Sequence, residues 1–163
     1  SLIDLRAITD EAVDRVYDVA RSQQVRVSVE GLDEPPLIAG DSSLLMRAIA
    51  NLLDNAIRYS PKSGVVRCSI RLKERSEAAT CDYLECTVAD QGPGIPPERL
   101  AALFQRFGPN DPSKELSAGL GLAFVKRAVD LMGGSITLES ATGGTTFVVA
   151  FPVAVSPESI DPA

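Results

Sequence analysis

The chain has no histidine, only three cysteines and no long apolar run, and each shortage removes a class of function. Cys68, Cys81 and Cys86 are an odd set without a Cys-x-x-Cys pair, and no imidazole is available to complete a metal cluster around them. They fit a reducing cytosol and are assigned no chemistry. No apolar stretch approaches the roughly 18 to 20 residues that span a bilayer. Ser1 opens neither a signal peptide nor a methionine start, so the chain is expected to be a soluble portion of something larger. Positive charge is also in short supply: 16 Lys and Arg against 22 Asp and Glu leave −6, scattered rather than blocked. That balance argues against nucleic acid or an anionic membrane as the main partner, although local basic residues can still meet phosphates.

What is present suffices for one domain. A length of 163 residues holds one core and is too short for two ordinary ones, so residues 1–155 are read as a single domain. Residues 156–163, with two prolines and little apolar content, are read as a flexible tail. Leu5, Ile8, Ala12, Val16 and Ala20 carry the spacing of one amphipathic helix from Leu2 to about Gln23. Val25, Val27 and Val29 then alternate with polar residues as a half-buried strand, ended by Gly31 and the Pro35-Pro36 loop. Asp41 or Ser42 can cap the next helix, whose Leu45, Ile49, Leu52, Leu53 and Ala56 share one face and which stops at Ser60 before Pro61. Two alternating strands, around Val66–Leu72 and Leu84–Val88, form an antiparallel hairpin across a polar loop. Pro96 and Pro97 open a short helix, residues 108–118 are irregular, and a last helix runs from Gly119 or Leu120 to a glycine stop at Gly133-Gly134. Two strands around Thr142-Gly143-Gly144 close the chain. The order gives an α/β, two-layer (α+β) sandwich, a mixed and mainly antiparallel sheet covered on one face by helices.

Three segments stand out from this frame. In NLLDNAIRYSP, Asn51, Asn55 and Arg58 fall at i, i+4 and i+7, one polar stripe opposite the apolar one. An asparagine carbonyl is an adequate Mg²⁺ ligand when phosphates and water complete the shell, and an arginine one turn on can neutralise phosphate. Taken alone, a solvated helix face explains the stripe as well. In DQGPGIP, Asp90 ends an apolar strand and enters Gly92 and Gly94, which let the backbone turn and approach a flat ligand. The carboxylate can accept a proton from an exocyclic amine such as adenine's, with Ile95 over the ring and Tyr59 beside it. A plain strand-to-helix turn is the competing reading. In AGLGLAFVKR, Gly119, Leu120 and Gly121 at a helix start offer unpaired N–H groups to an anion, though close helix packing also selects glycine. The box is neither Gly-x-x-x-x-Gly-Lys nor Gly-x-Gly-x-x-Gly, which removes the P-loop and Rossmann readings.

Together these boxes resemble the catalytic ATP-binding domain of two-component sensor histidine kinases, a Bergerat-type fold in the superfamily shared with gyrase, the heat-shock 90 chaperones and mismatch-repair MutL. NLLDNAIRYSP looks like the family's N box, DQGPGIP its G1 box, LFQRF from Leu103 to Phe107 its F box, and AGLGLAFVKR its G2 box. The likeness runs from about Leu5 to Pro152.

The resemblance implies ATP and Mg²⁺ as cofactors. It implies that Asn55 with Asn51 holds the metal, that Arg58 meets phosphate and that Tyr59 lies against the base. Asp90 would read the adenine amine, Gly92, Gly94 and Ile95 would shape its pocket, and Thr145 would support Asp90 through its hydroxyl. Gly119, Leu120, Gly121 and Leu122 would line the phosphates. Residues 108–118 would be a lid with Lys114 as its cation, hinged on Phe104 and Phe107, which read equally as core aromatics. Superfamily members that hydrolyse ATP carry a glutamate where this chain has Asn51, and an amide cannot activate water. The implied function is phosphoryl transfer from Mg-ATP to a histidine on a separate dimerisation domain of the same full-length protein, upstream of Ser1, and thence to a response-regulator receiver domain. The full protein would be a bacterial homodimer with this portion in the cytoplasm, membrane-anchored or not, and no nucleic acid as partner; a monomeric state is open to this portion alone. Two departures are Ser117-Ala118 in place of the usual Gly-Thr and a missing arginine after the F box. They leave a degenerate nucleotide-sensing module as one alternative; an anti-sigma-type serine kinase, which shares the N and G boxes, is the other.

Overall fold

A computed structural model describes residues 1–74, 81–94, 117–141 and 143–155. Its seven strands are β1 (Leu2–Ile3), β2 (Arg26–Gly31), β3 (Leu37–Ala39), β4 (Val65–Lys73), β5 (Tyr83–Ala89), β6 (Ser135–Ala141) and β7 (Gly144–Val155). The described helices are α1 (Leu5–Arg15), α2 (Tyr17–Gln23), α3 (Ser42–Tyr59) and α4 (Ser117–Leu131). The strands lie in the order β1-β3-β7-β5-β4-β2, with β6 also on β7. Among the described strands only β2 and β4 pair in parallel, so the sheet is mixed and mainly antiparallel as expected.

The alternation that marked the strands decides which side is covered. Cys68, Ile70, Leu84, Cys86, Phe147 and Phe151 are buried beneath the helices, whereas Arg67 and Arg71 on the opposite side of β4 are exposed. Against the covered face α3 lays Leu45, Ile49, Leu52, Leu53 and Ile57, and α4 lays Val125, Ala128 and Val129. Cys68, Cys81 and Cys86 are free thiols, and the Sγ atoms of Cys68 and Cys86 lie 3.7 Å apart. The hydrogen bond shared with Cys86, and burial after it, push the Cys68 thiol far above its ordinary pKa, which disfavours its thiolate.

Helix ends follow the local chemistry. Asp41, rather than Ser42, caps α3, its Oδ1 accepting from the N–H groups of Ser43 at 2.9 Å and Leu44 at 3.1 Å. At the other end Pro61 forces Ser60 into extended backbone, φ −78° and ψ 146°. The glycine stop of α4 is a paired motif: Gly134 N–H donates to Val129 O at 3.0 Å and Gly133 N–H to Asp130 O at 3.1 Å, with Gly133 at φ +71°.

The single helix expected from Leu2 to Gln23 is corrected in two places. Leu2 and Ile3 pair with β3, and Asp4 then starts α1 by accepting from Arg6 and Ala7 N–H. The chain breaks again at Val16 before α2. Leu5, Ala12, Val16 and Ala20 stay buried across the break, so the periodicity passes through it unchanged. The three-residue β3 lies in what reads as loop between Pro36 and Gly40 and is too short to show alternation. The expected short helix after Pro96 lies outside the described residues, as does the tail 156–163. No described helix is long and apolar enough to cross a membrane.

Candidate functional site

The polar stripe of α3 faces two ways. Asn55 is only 4 % exposed, and its Nδ2 has no hydrogen-bond partner among the described residues. An unpaired buried amide of this kind costs about 1–3 kcal/mol, which a ligand acceptor at this position would offset. Asn51, one turn earlier, is part-buried. Arg58 is exposed and its Nε donates to Asp54 Oδ2 at 2.8 Å, which raises its pKa further, through the hydrogen bond first and the charge of Asp54 second. That contact occupies one edge of the guanidinium and leaves the remaining N–H donors for a ligand.

Asp90 sits where β5 ends. Its backbone N–H donates to Thr145 O at 2.9 Å, and its Oδ1 accepts from Gly92 N–H at 2.9 Å and Thr145 N–H at 3.2 Å. Both bonds fall on Oδ1, which leaves Oδ2 without a partner among the described residues. Burial raises the Asp90 pKa, and the N–H groups of Gly92 and Thr145 pull against it. A carboxylate aimed and desolvated in this way is arranged to accept a hydrogen bond from a ligand N–H. Thr145 therefore supports Asp90 as expected, but through its backbone: its hydroxyl lies 3.1 Å from Ser140 Oγ instead.

Glycine brings the boxes together. A Cβ on Gly92 would stand 2.4 Å from Tyr59 O and 3.2 Å from Asp90 Oδ1, so the G1 segment lies directly on the end of α3. Gly94 has φ +84°, a backbone favouring glycine. The Tyr59 ring is half exposed beside this junction. On the other side, a Cβ on Gly121 would lie 3.7 Å from both Asn51 Cβ and Asn55 Nδ2. The start of α4 therefore rests against the amide stripe at Gly121, with the positive end of the helix dipole on that side.

The third box is corrected in detail. α4 begins at Ser117, earlier than Gly119 or Leu120, which puts Gly119 and Leu120 in the first turn and Gly121 just beyond it. Leu122 is 2 % exposed and packs in the core. Ile95, Phe104, Phe107, Lys114 and most of the lid, 108–116, lie outside the described residues. Three contributors escaped the sequence reading: Ser140, Gly144, whose Cβ would meet Asp90 O at 2.3 Å, and Gln91, whose Oε1 accepts from Val65 N–H at 2.9 Å. The β6–β7 register sets Ser140 opposite Thr145.

The cleft thus combines a buried carboxylate for a donor on a base, two amides, and a helix start for an anion. Among the described residues no three His, Cys, Asp or Glu side chains could hold a metal, so a cation here depends on amide carbonyls and the ligand's own oxygens.

Comparison with known proteins is consistent with this chemistry. The family model described as histidine kinase-, DNA gyrase B-, and HSP90-like ATPase matches residues 40–155. The signal transduction histidine-protein kinase/phosphatase MprB of Mycolicibacterium vanbaalenii is 33% identical over 159 residues, 94% of this chain and 32% of the relative. The probable sensor kinase SilS of Salmonella typhimurium is 36% identical over 121 residues, 72% of this chain and 23% of the relative. This chain therefore spans a third or less of the length of these relatives. Among solved structures, that of a mycobacterial sensor histidine kinase MprB superposes with TM-score 0.75 at 31% identity, covering 95% of this chain and 98% of that one. The catalytic domain of histidine kinase ThkA superposes equally well, TM-score 0.75 over 94% of this chain and 95% of that one, at 21% identity, a likeness of fold alone.

Proposed function

The chain belongs to the histidine kinase-, DNA gyrase B-, and HSP90-like ATPase family, and from that premise we propose that it binds Mg-ATP and donates the γ-phosphoryl group to a histidine on a separate dimerisation domain of the same full-length protein. From there the group passes to a response-regulator receiver domain, in a full-length homodimer whose kinase portion is cytoplasmic. The relatives named above are histidine kinases, which favours this branch over a serine kinase of the anti-sigma type.

The observation that carries the reading is the Asp90 junction, a desolvated carboxylate fixed by Gly92 and Thr145 and seated on the end of the amide-bearing helix. Asp90 would accept from the adenine 6-amino group, with Tyr59 beside the base, while the first turn of α4 receives the phosphates. Asn55 with Asn51 would hold Mg²⁺ through their side-chain carbonyl oxygens, the donor type that cation takes, and the cation would neutralise and orient the phosphates; the unpartnered Asn55 Nδ2 is a donor left for a ligand oxygen. Neither amide can take a proton from water, and the nearby Asp54 carboxylate is engaged by Arg58. The site therefore holds ATP for a better nucleophile, and with no histidine in this chain that nucleophile lies on another domain.

The test is to incubate the chain with γ-labelled ATP and Mg²⁺, with and without the histidine-bearing domain. Acid-labile, base-stable label on that domain alone is the expected result. ATP binding with no transfer would leave a nucleotide-sensing module in its place.

A further inference from the structure

Arg47, Asn51, Asn55 and Arg58 occupy one stripe of α3 at i, i+4, i+8 and i+11. Arg58 at one end is tied to Asp54. Arg47 at the other end has no carboxylate partner among the described residues; its Cζ lies 4.1 Å over the centroid of the Phe124 ring on α4. The two helices run antiparallel here, with Met132 packed over Gly40, Phe124 beneath Arg47, and Gly121 against Asn51 and Asn55. Gly121 has no side chain with which to grip α3. The stack lies one turn from Gly121 on α4 and one turn from Asn51 on α3, and ties the two helices together beside that contact.

We propose that Arg47 is a positioning residue: stacked on Phe124, it holds α4 at Gly121 against Asn51 and Asn55 and so sets the affinity for the nucleotide's phosphates but not for adenosine. This rests on the nucleotide-site reading above. The flat guanidinium covers the ring as an ammonium cannot, and an exposed cation–π contact of this kind corresponds to about a two- to fivefold change in an equilibrium constant.

The experiment is calorimetric titration of the 163-residue chain with Mg-ATP and with adenosine. Arg47→Leu, which keeps an apolar cover on the ring, is expected to weaken ATP about two- to fivefold and leave adenosine unchanged. Phe124→Tyr, which keeps the ring, should bind ATP as the parent does. Phe124→Leu should match Arg47→Leu, and the double variant should lose nothing more. An unchanged ratio of ATP to adenosine affinity in Arg47→Leu overturns the proposal. So do additive losses in the double variant, which would make Arg47 a direct phosphate contact. A parent chain that binds neither ligand overturns the nucleotide reading itself, and this inference with it.

Discussion

Replacing Gly92 by alanine puts one methyl group at the point where the carboxylate loop meets the amide-bearing helix. The new Cβ would lie 2.4 Å from Tyr59 O, about 1 Å inside ordinary contact, and 3.2 Å from Asp90 Oδ1. The obstacle is backbone at a helix end, so a rotamer change cannot relieve it. Either the loop lifts or the last turn of α3 yields. Overpacking of this kind costs about 1–3 kcal/mol, or about 2–12 °C in Tm for a domain of this size. Lifting the loop also pulls Gly92 N–H from Asp90 Oδ1, so ATP affinity should fall at least about tenfold, the equivalent of about 1.4 kcal/mol. Gly121→Ala is the matched control, because its Cβ would rest at 3.7 Å from Asn51 and Asn55. Thermal unfolding and ATP titration of both variants decide the matter. Gly92→Ala with the parent's Tm and affinity, or a larger loss in Gly121→Ala, would refute the packing argument.

Further expectations concern the site and the core. Burial raises the Asp90 pKa in the folded chain, so the stability it contributes is fully present below the ordinary aspartate value and is lost as pH rises through the raised one. Asp90→Asn should therefore melt no lower than the parent at about pH 7, with the gap closing towards about pH 4, while ATP binding is lost; a variant destabilised only at the higher pH reverses the sign. Asn55→Leu removes the unpaired buried amide at similar volume and should leave the apo chain about 1 kcal/mol more stable by denaturant titration, yet abolish Mg²⁺-dependent ATP binding. Leu53→Ala, at a fully buried position of α3, should cost about 2–5 kcal/mol; a loss under about 1 kcal/mol would misplace the core.

Much of the site was legible because local rules and tertiary demands agree there. The α3 face pattern, its acidic cap and its proline stop all point to one helix, and the structure contains it from Ser42 to Tyr59. Asp90 was legible as a carboxylate between an apolar strand and two glycines. What misled was chemistry that only distant chain segments decide. Leu2 and Ile3 become a strand because β3 offers an edge, and nothing in the flanking periodicity records that pairing. The start of α4 was read late because glycine is a poor helix former, whereas the structure keeps both glycines in the helix and packs Gly121 onto Asn51 and Asn55. Leu122 was assigned to the ligand from its place in a box, although with Val125 and Val129 it completes an i, i+3, i+7 core stripe.

The central claim is that Asp90 turns this cleft into an adenine site. Its most direct test is a pair of titrations of the chain with Mg-ATP and Mg-ITP, which differ in the base and carry a carbonyl in place of the 6-amino group in the second. A buried carboxylate that accepts from the amine predicts that ATP binds at least about tenfold more tightly than ITP. Equal affinity for the two would contradict the account.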